Sequence, residues 1–404
     1  MRPGRRRRAP DGARVALVMA HGKMAGAERI LLELLTDTAP AGVVVCAPQA
    51  SALAGEVEAI GHRVWDFSLP KLAEVGSAAG YARCLTGALG RLAALVRDEP
   101  VGVLHAFVAN TVKAVAPVAA VTGIPALVSV HEMTDAAAIG GLRSRLQRWP
   151  ATLTMAKITA VSQAVADRLV AAGYPADRVV VVHNGIARRA PRTPAAAARR
   201  QLGLPAEGLV IGVVGRLTRW KGQDVALEAF ARFAQRHPDL PAHLAVAGGP
   251  FEASDVAYEQ RLRQQAGRPP LAGRVHLLGH RQDAELVYDA LDVVLVPSVE
   301  ADPFPTVVLE AGLAGRPVVA SALGGAGEAV VDGWTGLVTD PTADAFAGAL
   351  ERMVDPAWRA RAGAVATVHV QRHFSRHRFA ADLHRLWGDL GVPVGAGAQQ
   401  TSDR

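Results

Sequence analysis

Short runs rich in Val and Ile alternate with Ala- and Leu-rich stretches of helical length along most of this 404-residue chain. Several of the runs are apolar at every position, which is typical of strands buried on both faces of a parallel sheet. Strands and helices that alternate through short loops form right-handed crossovers, and such crossovers build doubly wound sheets. The pattern therefore predicts an α/β architecture for most of the chain.

The alternation falls into two sets, and a Pro- and Arg-rich stretch separates them. A chain of 404 residues is too long for one ordinary hydrophobic core, so two domains are expected. Residues 188–208 follow the turn signal Asn184-Gly185 and are interpreted as a linker. The predicted fold class is α/β, with two doubly wound, Rossmann-like domains that face each other across a cleft. Because ligands bind such sheets at the carboxyl ends of the strands, the cleft is the expected site.

The predicted boundaries follow from where the alternation starts, stops and resumes. In chain order the segments are a disordered basic tail, a first domain, the linker, a second domain, a helix that could pack back on the first domain and a disordered tail: residues 1–13, 14–187, 188–208, 209–375, 376–390 and 391–404. Strands are predicted at 14–20, 43–47, 63–67, 101–106, 126–130, 157–161, 179–182, 210–214, 243–247, 274–278, 293–296, 317–320 and 337–339. Helices are predicted at 26–36, 78–97, 163–172 and 223–236, among others.

Positive charge is concentrated at the amino terminus. The formal net charge is +7, and five arginines lie among the first eight residues. This run is interpreted as a solvated tail in preference to a contact for anionic lipid or nucleic acid. No nucleic-acid partner is expected, and peripheral contact with the inner face of a membrane stays an alternative.

The number of cysteines and the hydropathy of the chain indicate where in the cell the protein is expected. Cys46 and Cys84 are the two cysteines of the chain, which predicts a reducing cytoplasm and no disulfide framework. The apolar run at 15–20 lacks a small-residue cleavage site and is interpreted as the first strand, not as a signal peptide. The longest apolar region, 115–130, is interrupted by two prolines and a glycine, so no transmembrane helix is expected. The predicted location is cytoplasmic.

Two basic residues follow the first strand of the second domain. Residues 210–222 have the sequence VIGVVGRLTRWKG, so Arg216 and Lys221 lie in the loop that opens the next helix. Arginine offers a planar fork to phosphate oxygens and lysine a point charge, and together they can neutralise a diphosphate. Gly215 and Gly222 allow close backbone approach. We interpret this loop as a diphosphate site in preference to two merely exposed basic side chains.

A helix N-terminus and a carboxylate follow a later strand. Pro305 suits the first helical position, which leaves the amides of Thr306 and Val307 as an anion site. Glu310 lies about one turn further along an otherwise apolar helix, where an unpaired carboxylate is unfavourable. Ribose hydroxyls that donate to Glu310 would satisfy it, and an ion pair with Arg316 is the alternative.

These motifs, with others in both halves, resemble the retaining glycosyltransferases of family 4 (glycosyl transferases group 1), which have the GT-B fold. The resemblance covers roughly residues 14–390 and is specific, because several motifs occur in order. The motifs are GRLTRWKG at 215–222, Asp302-x7-Glu310, EAGLAGRPVVASALGGAGE at 310–328, MAGAERIL at 24–31, VLHAFVANT at 103–111, ALVSVHE at 126–132, ITAVSQAVADRL at 158–169 and VHNGI at 182–186.

The resemblance implies roles for residues of both domains. Arg216 and Lys221 would hold the donor diphosphate, and Glu310 would bind the nucleotide ribose. His131, which ends an apolar strand, would lie near the sugar from the first, acceptor-side domain. The glycine loop beside the diphosphate and acceptor would contain Gly22 and Gly26. The loop that touches the donor sugar and phosphates would comprise Asp302, Pro303, Phe304, Pro305, Thr306 and Val307.

Two positions depart from the family pattern. The first acid of the family's paired glutamates is Asp302 here, one methylene shorter, and Glu300 is a nearby rival for the contact to the donor sugar. The first loop has Ala25-Gly26 where the family has Gly-Gly, which leaves Gly22 and Gly26 as the flexible points.

No metal site and no cofactor are expected. His369, His373 and His377 recur every four residues, but Phe374-Ser375 is typical of a helix break and no carboxylate completes a metal site. With protein cations on the phosphates, a catalytic Mg²⁺ need not be invoked, and the nucleotide sugar is expected as a substrate.

The predicted function is the transfer of a sugar from a nucleotide-diphosphate donor to an acceptor hydroxyl, with retention of anomeric configuration. The acceptor is a glycan, a lipid or a small metabolite, and polysaccharide biosynthesis is the expected context. A nucleotide-sugar epimerase of GT-B fold would share the diphosphate site but would need further carboxylates on the sugar ring. A non-catalytic GT-B subunit is disfavoured because Arg216, Lys221 and Glu310 are all present.

Overall fold

The structure, a computed structural model, describes residues 9–133, 151–188, 190 and 192–395. These residues form two compact units. Unit 1 comprises the described residues up to Gly185 together with those from Arg376 onwards, and unit 2 is Ile186–Ser375.

Unit 1 is built on a seven-stranded parallel sheet with the strand order β3-β2-β1-β4-β5-β6-β7. Val15 on the first strand lies beside Val43 on one neighbour and Val103 on the other, so these apolar runs are buried on both faces. Its elements up to Gly185 are β1 (Arg14–Val18), α1 (Gly26–Thr36), β2 (Val43–Ala47), α2 (Ala52–Ala59), β3 (Val64–Asp66), α3 (Leu72–Val75), α4 (Ala78–Asp98), β4 (Val101–Ala106), α5 (Val112–Thr122), β5 (Ala126–Val130), β6 (Met155–Ala160), α6 (Gln163–Ala171) and β7 (Val179–Val181).

Unit 2 is built on a six-stranded parallel sheet with the order β10-β9-β8-β11-β12-β13. Phe230, Phe233 and Phe346 belong to the buried apolar cluster that covers one face of this sheet. Its elements are α7 (Ala195–Leu202), β8 (Leu209–Val214), α8 (Gln223–Arg236), β9 (Ala242–Ala247), α9 (Ala253–Ala266), β10 (Val275–Gly279), α10 (Ala284–Ala290), β11 (Val293–Val296), α11 (Thr306–Leu313), β12 (Val318–Ser321), α12 (Ala326–Ala329), β13 (Gly336–Thr339), α13 (Ala343–Arg352) and α14 (Pro356–His373).

The predicted architecture of two doubly wound parallel sheets is confirmed. In each sheet the strand order reverses between two neighbours, β1 and β4 in unit 1 and β8 and β11 in unit 2. Loops that follow such strands flank the crevice in which doubly wound sheets bind their ligands. Among the described helices, none combines the length and apolar character that crossing a bilayer requires.

The stretch predicted as a linker, residues 188–208, is instead part of unit 2. It contains α7, which packs on α10. Arg199 on α7 is buried, pairs with Asp292 at 2.7 Å and donates to the Ala290 carbonyl at 2.9 Å. The prediction of a linker was based on the Pro and Arg content of the segment, and arginines are usually solvated. The burial of Arg199 depends on partners about ninety positions away in the chain, which the local sequence does not reveal.

The carboxyl-terminal segment differs from the prediction at its end, after the final helix. The final helix α15 (Arg376–Asp389) packs on α1 within unit 1, where Arg376 contacts Asp37 at 3.1 Å. Val392, predicted to be in a disordered tail, is 1% exposed and packs on Gly102 of β4. The Ala39 N–H donates to the Gly395 carbonyl at 3.1 Å. The prediction of a disordered tail is therefore wrong for 391–395, whereas residues 1–8 and 396–404 of the two predicted tails lie outside the described residues.

His105 on β4 is buried between Ser129 and Trp387, and its contacts define its tautomer. The indole N–H of Trp387 on α15 donates to Nδ1 of His105 at 3.3 Å. The hydrogen of the neutral ring is therefore on Nε2, which lies 2.8 Å from the Ser129 hydroxyl oxygen. Burial, and to a smaller extent the nearby His131, lowers the pKa of His105 to about 3. The folded protein keeps this ring neutral.

We expect the free energy of unfolding to fall as the pH drops from about 6.5 towards 3, because the unfolded chain protonates His105 first. A folded pKa below the unfolded value gives stability that is present above pH 6.5 and lost on acidification. At pH 5 this group alone accounts for a loss of about 2 kcal/mol. Guanidinium titrations of the wild type and of His105→Gln at pH 7.5 and pH 5 measure the free energy of unfolding that each protein loses between the two pH values. The variant should lose less stability than the wild type, and equal losses would contradict the assignment.

Candidate functional site

In unit 2 the loops that follow β8 and β11 lie side by side at the reversal of strand order. The Val299 N–H donates to the Trp220 carbonyl at 2.9 Å and joins the two loops. Gly222 has φ +70°, and a Cβ there would lie 2.0 Å from the Pro297 carbonyl oxygen. Since no other residue fits this position without displacing Pro297, the glycine fixes the preceding Lys221 against the second loop.

Lys221 ends a short 3₁₀ turn, Arg219–Lys221, directly before α8. Its Nζ lies 2.5 Å from Oδ2 of Asp302 and 4.2 Å from the centre of the Trp220 ring. Two residues predicted for the site, 81 positions apart in the chain, are thus in direct contact. Lys221 is half-buried and Asp302 is buried.

Arg216 follows β8 and its guanidinium is exposed. It lies over the ring of Phe251 at 4.9 Å, which is a cation–π contact. The carbonyl of Arg216 accepts a hydrogen bond from Nε2 of Gln223 at 2.8 Å. Within the described ranges no ion pair to Arg216 occurs, so its charge is available to an anion.

The N-terminus of α11 faces the same part of unit 2. Pro305 has extended backbone dihedrals and precedes the first helical residue, Thr306. The amides of the first turn of a helix have no acceptor inside the helix, so those of Thr306 and Val307 can bind an anion. Val307 lines a small cavity with Lys221 and Ser298. Lys221 and the first turn of α11 therefore line one cavity in unit 2, and Arg216 lies in the loop that carries Lys221.

Within the loop 302–306, Phe304 does not present its ring to a ligand. Its side chain is 4% exposed and lies 5.5 Å from the ring of Phe374 on the chain segment after α14. It anchors the loop, so only its backbone can serve the donor contact predicted from the resemblance. Pro303 is half-buried beside it.

Glu310 on α11 is partnered by a residue that the sequence did not single out. The hydroxyl of Tyr288, which is 1% exposed, donates to Oε2 of Glu310 at 2.6 Å. The alternative ion pair with Arg316 is not formed, because that guanidinium donates to the carbonyls of Tyr288 and Asp289 at 3.1 and 2.8 Å. A carboxylate has several acceptor positions, so Glu310 can accept from further hydroxyls while it keeps Tyr288.

Three buried side chains near these loops have oxygen atoms without hydrogen-bond partners among the described residues: Thr218 Oγ1, Gln223 Oε1 and Ser298 Oγ. Ser298 and Gln223 line the same cavity as Lys221. Unpaired buried polar groups are unfavourable, so they mark a place where a polar ligand or water completes the structure. Sequence analysis missed them because a serine, a threonine and a glutamine carry no motif of their own.

In unit 1 His131 directly follows β5, as predicted. Its ring lies 5.1 Å from that of Phe107, and its Nε2 is buried without a partner in the part of the chain that the structure describes. Burial lowers the pKa of His131 to about 4, against the smaller raising effects of the Glu28 charge and a backbone contact to Phe107. His131 is therefore neutral at physiological pH, and because its other ring nitrogen donates to the backbone of Phe107, Nε2 can accept one hydrogen bond.

The loop between β1 and α1 contains the predicted glycines. Gly22 packs tightly on Ser51, and Gly26 begins α1 with open space where a side chain would be. Glu28, which the prediction left out, accepts a hydrogen bond from the Ala25 N–H at 3.1 Å and lies 3.7 Å from the His21 ring nitrogen. It is the buried acid that fixes this loop.

Over the described residues, no group of three or more His, Cys, Asp or Glu side chains has the arrangement of a metal site. His369 and His373 stack at 5.0 Å near the end of α14, and the helix ends at His373. His377 lies on α15 and contacts Asp37 of unit 1. The three histidines therefore do not form one face.

Two family models match the chain, one in each half. The model of Glycosyltransferase Family 4 matches residues 24–189, and that of Glycosyl transferases group 1 matches residues 208–355. The D-inositol 3-phosphate glycosyltransferase of Acidothermus cellulolyticus is 38% identical over 206 residues, which are 50% of this chain and 46% of that protein. That of Stackebrandtia nassauensis is 40% identical over 201 residues, 48% of this chain and 44% of that protein. The chain thus spans about half the length of the curated relatives it matches.

Solved structures with the same fold cover nearly the whole chain. Anabaena Alr3699/HepE in complex with UDP and glucose has a TM-score of 0.78 at 22% identity and covers 93% of this chain and 99% of its own. A glycosyltransferase from Rickettsia africae has a TM-score of 0.77 at 17% identity, with 94% and 98% covered. Sucrose-phosphate synthase from Thermosynechococcus elongatus has a TM-score of 0.72 at 21% identity, with 94% and 99% covered.

Proposed function

Since the chain belongs to the family 4 glycosyltransferases (glycosyl transferases group 1), we propose that it transfers a sugar from a nucleoside-diphosphate donor to an acceptor hydroxyl, with retention of anomeric configuration. The observation that carries the proposal lies in unit 2. Lys221 and Val307 of the first turn of α11 line one cavity beside the point where the strand order of the sheet reverses, and Arg216 lies in the loop that carries Lys221.

The main requirement of this reaction is stabilisation of the leaving group. As the bond between the anomeric carbon and the β-phosphate breaks, negative charge grows on the nucleoside diphosphate. Lys221, Arg216 and the amides of Thr306 and Val307 stabilise that charge from fixed positions, which lowers the barrier. Because these groups meet the phosphate charge, the proposal requires no metal cofactor.

The remaining residues orient the donor. Glu310, held by Tyr288, accepts hydrogen bonds from the paired ribose hydroxyls, which explains a carboxylate on an otherwise apolar helix. His131, as a neutral imidazole, contacts a sugar hydroxyl through its unpartnered Nε2. The loop with Gly22 and Gly26 serves the phosphates and the acceptor, as the family resemblance implies.

We propose a UDP-sugar as the first donor to test. Alr3699/HepE, whose fold this chain shares, was crystallised with UDP, with UDP and glucose, and with UDP-glucose. The acceptor is a glycan, a lipid or a small metabolite, and the protein acts in the cytoplasm or at the inner face of a membrane. An added-acceptor screen with one member of each class separates the three.

A thermal-shift screen against UDP-, GDP-, ADP- and TDP-sugars tests the proposal. A ligand that binds only the folded protein raises its melting temperature, and at a concentration of 100 Kd the gain is about 2.7 kcal/mol. We expect one nucleotide class to give the shift and the others to give none. No shift with any of the four would contradict the proposed donor site. A donor that changes its sugar without any acceptor would identify an epimerase instead.

A further inference from the structure

We propose that Asp302 is a positioning residue that holds the Lys221 ammonium for the donor diphosphate. The inference rests on the proposed function, because it concerns how one cation of the diphosphate site is held. It gives Asp302 a role in addition to the sugar contact that the family resemblance implies.

The carboxylate of Asp302 is already engaged. Its Oδ2 lies 2.5 Å from Nζ of Lys221, and the two side chains are 6% and 19% exposed. Within this pair the carboxylate is the more deeply buried partner. Removing this carboxylate would leave a half-buried ammonium without its counter-charge, which is strongly unfavourable.

The backbone of Asp302 is fixed as firmly as its side chain. The Gly325 N–H donates to the Asp302 carbonyl at 2.8 Å, and Asp302 forms an isolated bridge with Gly324. Gly324 has φ +75°, and a Cβ on it would lie 2.2 Å from the Asp302 carbonyl oxygen and 2.7 Å from its nitrogen. The main chain of Asp302 is therefore held in place, which limits where its short side chain can meet Lys221.

Lys221 needs such a partner. Its backbone is held by the hydrogen bond from its N–H to the Thr218 carbonyl at 3.0 Å and by Gly222 against Pro297. Its four-carbon side chain is flexible, however, and an ammonium is an undirected point charge. The carboxylate and the Trp220 ring fix where that charge lies. An ammonium has three N–H groups, so two remain for phosphate oxygens while one stays with Asp302.

The shorter side chain fits this role. Asp302 stands one methylene short of the glutamate of the family pattern, so its carboxylate stays close to the backbone that Gly324 holds. Glu300, two residues earlier, is exposed and is not constrained in this way. The structure thus assigns the departure at position 302 to the phosphate end of the donor.

The test is a calorimetric titration with UDP and, separately, with UDP-glucose. UDP lacks the glucose, so its binding does not report a contact to the donor sugar. Both ligands contain the diphosphate, so a cation that binds the diphosphate affects the Kd of both. The proteins are the wild type, Asp302→Asn, Lys221→Met and the double variant. Asp292→Asn is the matched control, because it removes a partly buried ion pair with Arg199 at the amino-terminal end of β11. Melting temperatures are measured for all five.

We expect Asp302→Asn to weaken the binding of UDP about tenfold when Lys221 is present. In the Lys221→Met background it should cause no further loss and should recover part of the UDP binding, because asparagine removes the uncompensated carboxylate beside the diphosphate. UDP-glucose should be weakened at least as much as UDP. The control should lower the melting temperature and leave both Kd values unchanged. The inference is overturned if Asp302→Asn binds UDP unchanged or more tightly than the wild type, if only UDP-glucose is weakened, or if Asp302→Asn adds a loss of UDP binding to Lys221→Met. A wild type that binds neither ligand overturns the UDP donor itself, and that outcome is visible before any variant is compared.

Discussion

Lys221→Met is expected to lower kcat/KM for sugar transfer about a thousandfold, which corresponds to about 4 kcal/mol. The ammonium is the half-buried cation of the site, and methionine keeps the length of the side chain without its charge. Negative charge on the departing diphosphate would then face the Asp302 carboxylate with no counter-charge between them. Both the chemical step and the binding of the nucleotide product are therefore expected to suffer.

The matched control for Lys221→Met is Arg219→Met. Arg219 lies in the same 3₁₀ turn, two residues earlier, and its side chain is exposed. The Arg219→Met substitution removes one positive charge from the same loop, so the general electrostatic attraction of the donor changes equally in the two variants. Steady-state assays with the donor varied should show less than about a threefold loss for the control. Equal losses in both variants would contradict a specific role for Lys221.

Arg216→Ala is expected to lower kcat/KM about a hundredfold, with most of the loss in kcat. The guanidinium is exposed and rests on Phe251, so its removal leaves no buried charge behind and should not destabilise unit 2. Arg216→Lys keeps the charge but not the planar fork and should recover only part of the activity. Single-turnover rates separate the chemical step from product release. An Arg216→Ala protein with undiminished turnover would contradict the mechanism.

The bounds of helices and strands were predictable where a local sequence signal coincides with the hydrogen-bonded ends of the element. The helices 26–36 and 223–236 and the strands 43–47, 101–106, 126–130 and 293–296 lie where the sequence placed them. In each case a largely apolar run is buried or a glycine lies at the start of the helix, and these signals are local. Strand ends elsewhere are displaced by one or two residues, because the last hydrogen bonds depend on the neighbouring strand.

The side-chain partners in the site could not be predicted in the same way. The loops after β8 and β11 were expected to meet, since the carboxyl ends of parallel strands share one edge. The contact of Lys221 with Asp302 and that of Tyr288 with Glu310 depend on side-chain conformations and on pairs far apart in the chain. Arg199 and Val392 show the same limit, because their burial comes from distant partners.

The most direct test of the diphosphate site is a crystal structure of the protein grown with UDP. The account predicts phosphate oxygens at about 3 Å from the Lys221 ammonium and from the Arg216 guanidinium, beside the first turn of α11. It predicts the ribose hydroxyls at Glu310. Phosphates bound elsewhere, with Lys221 and Arg216 both turned to solvent, would contradict it.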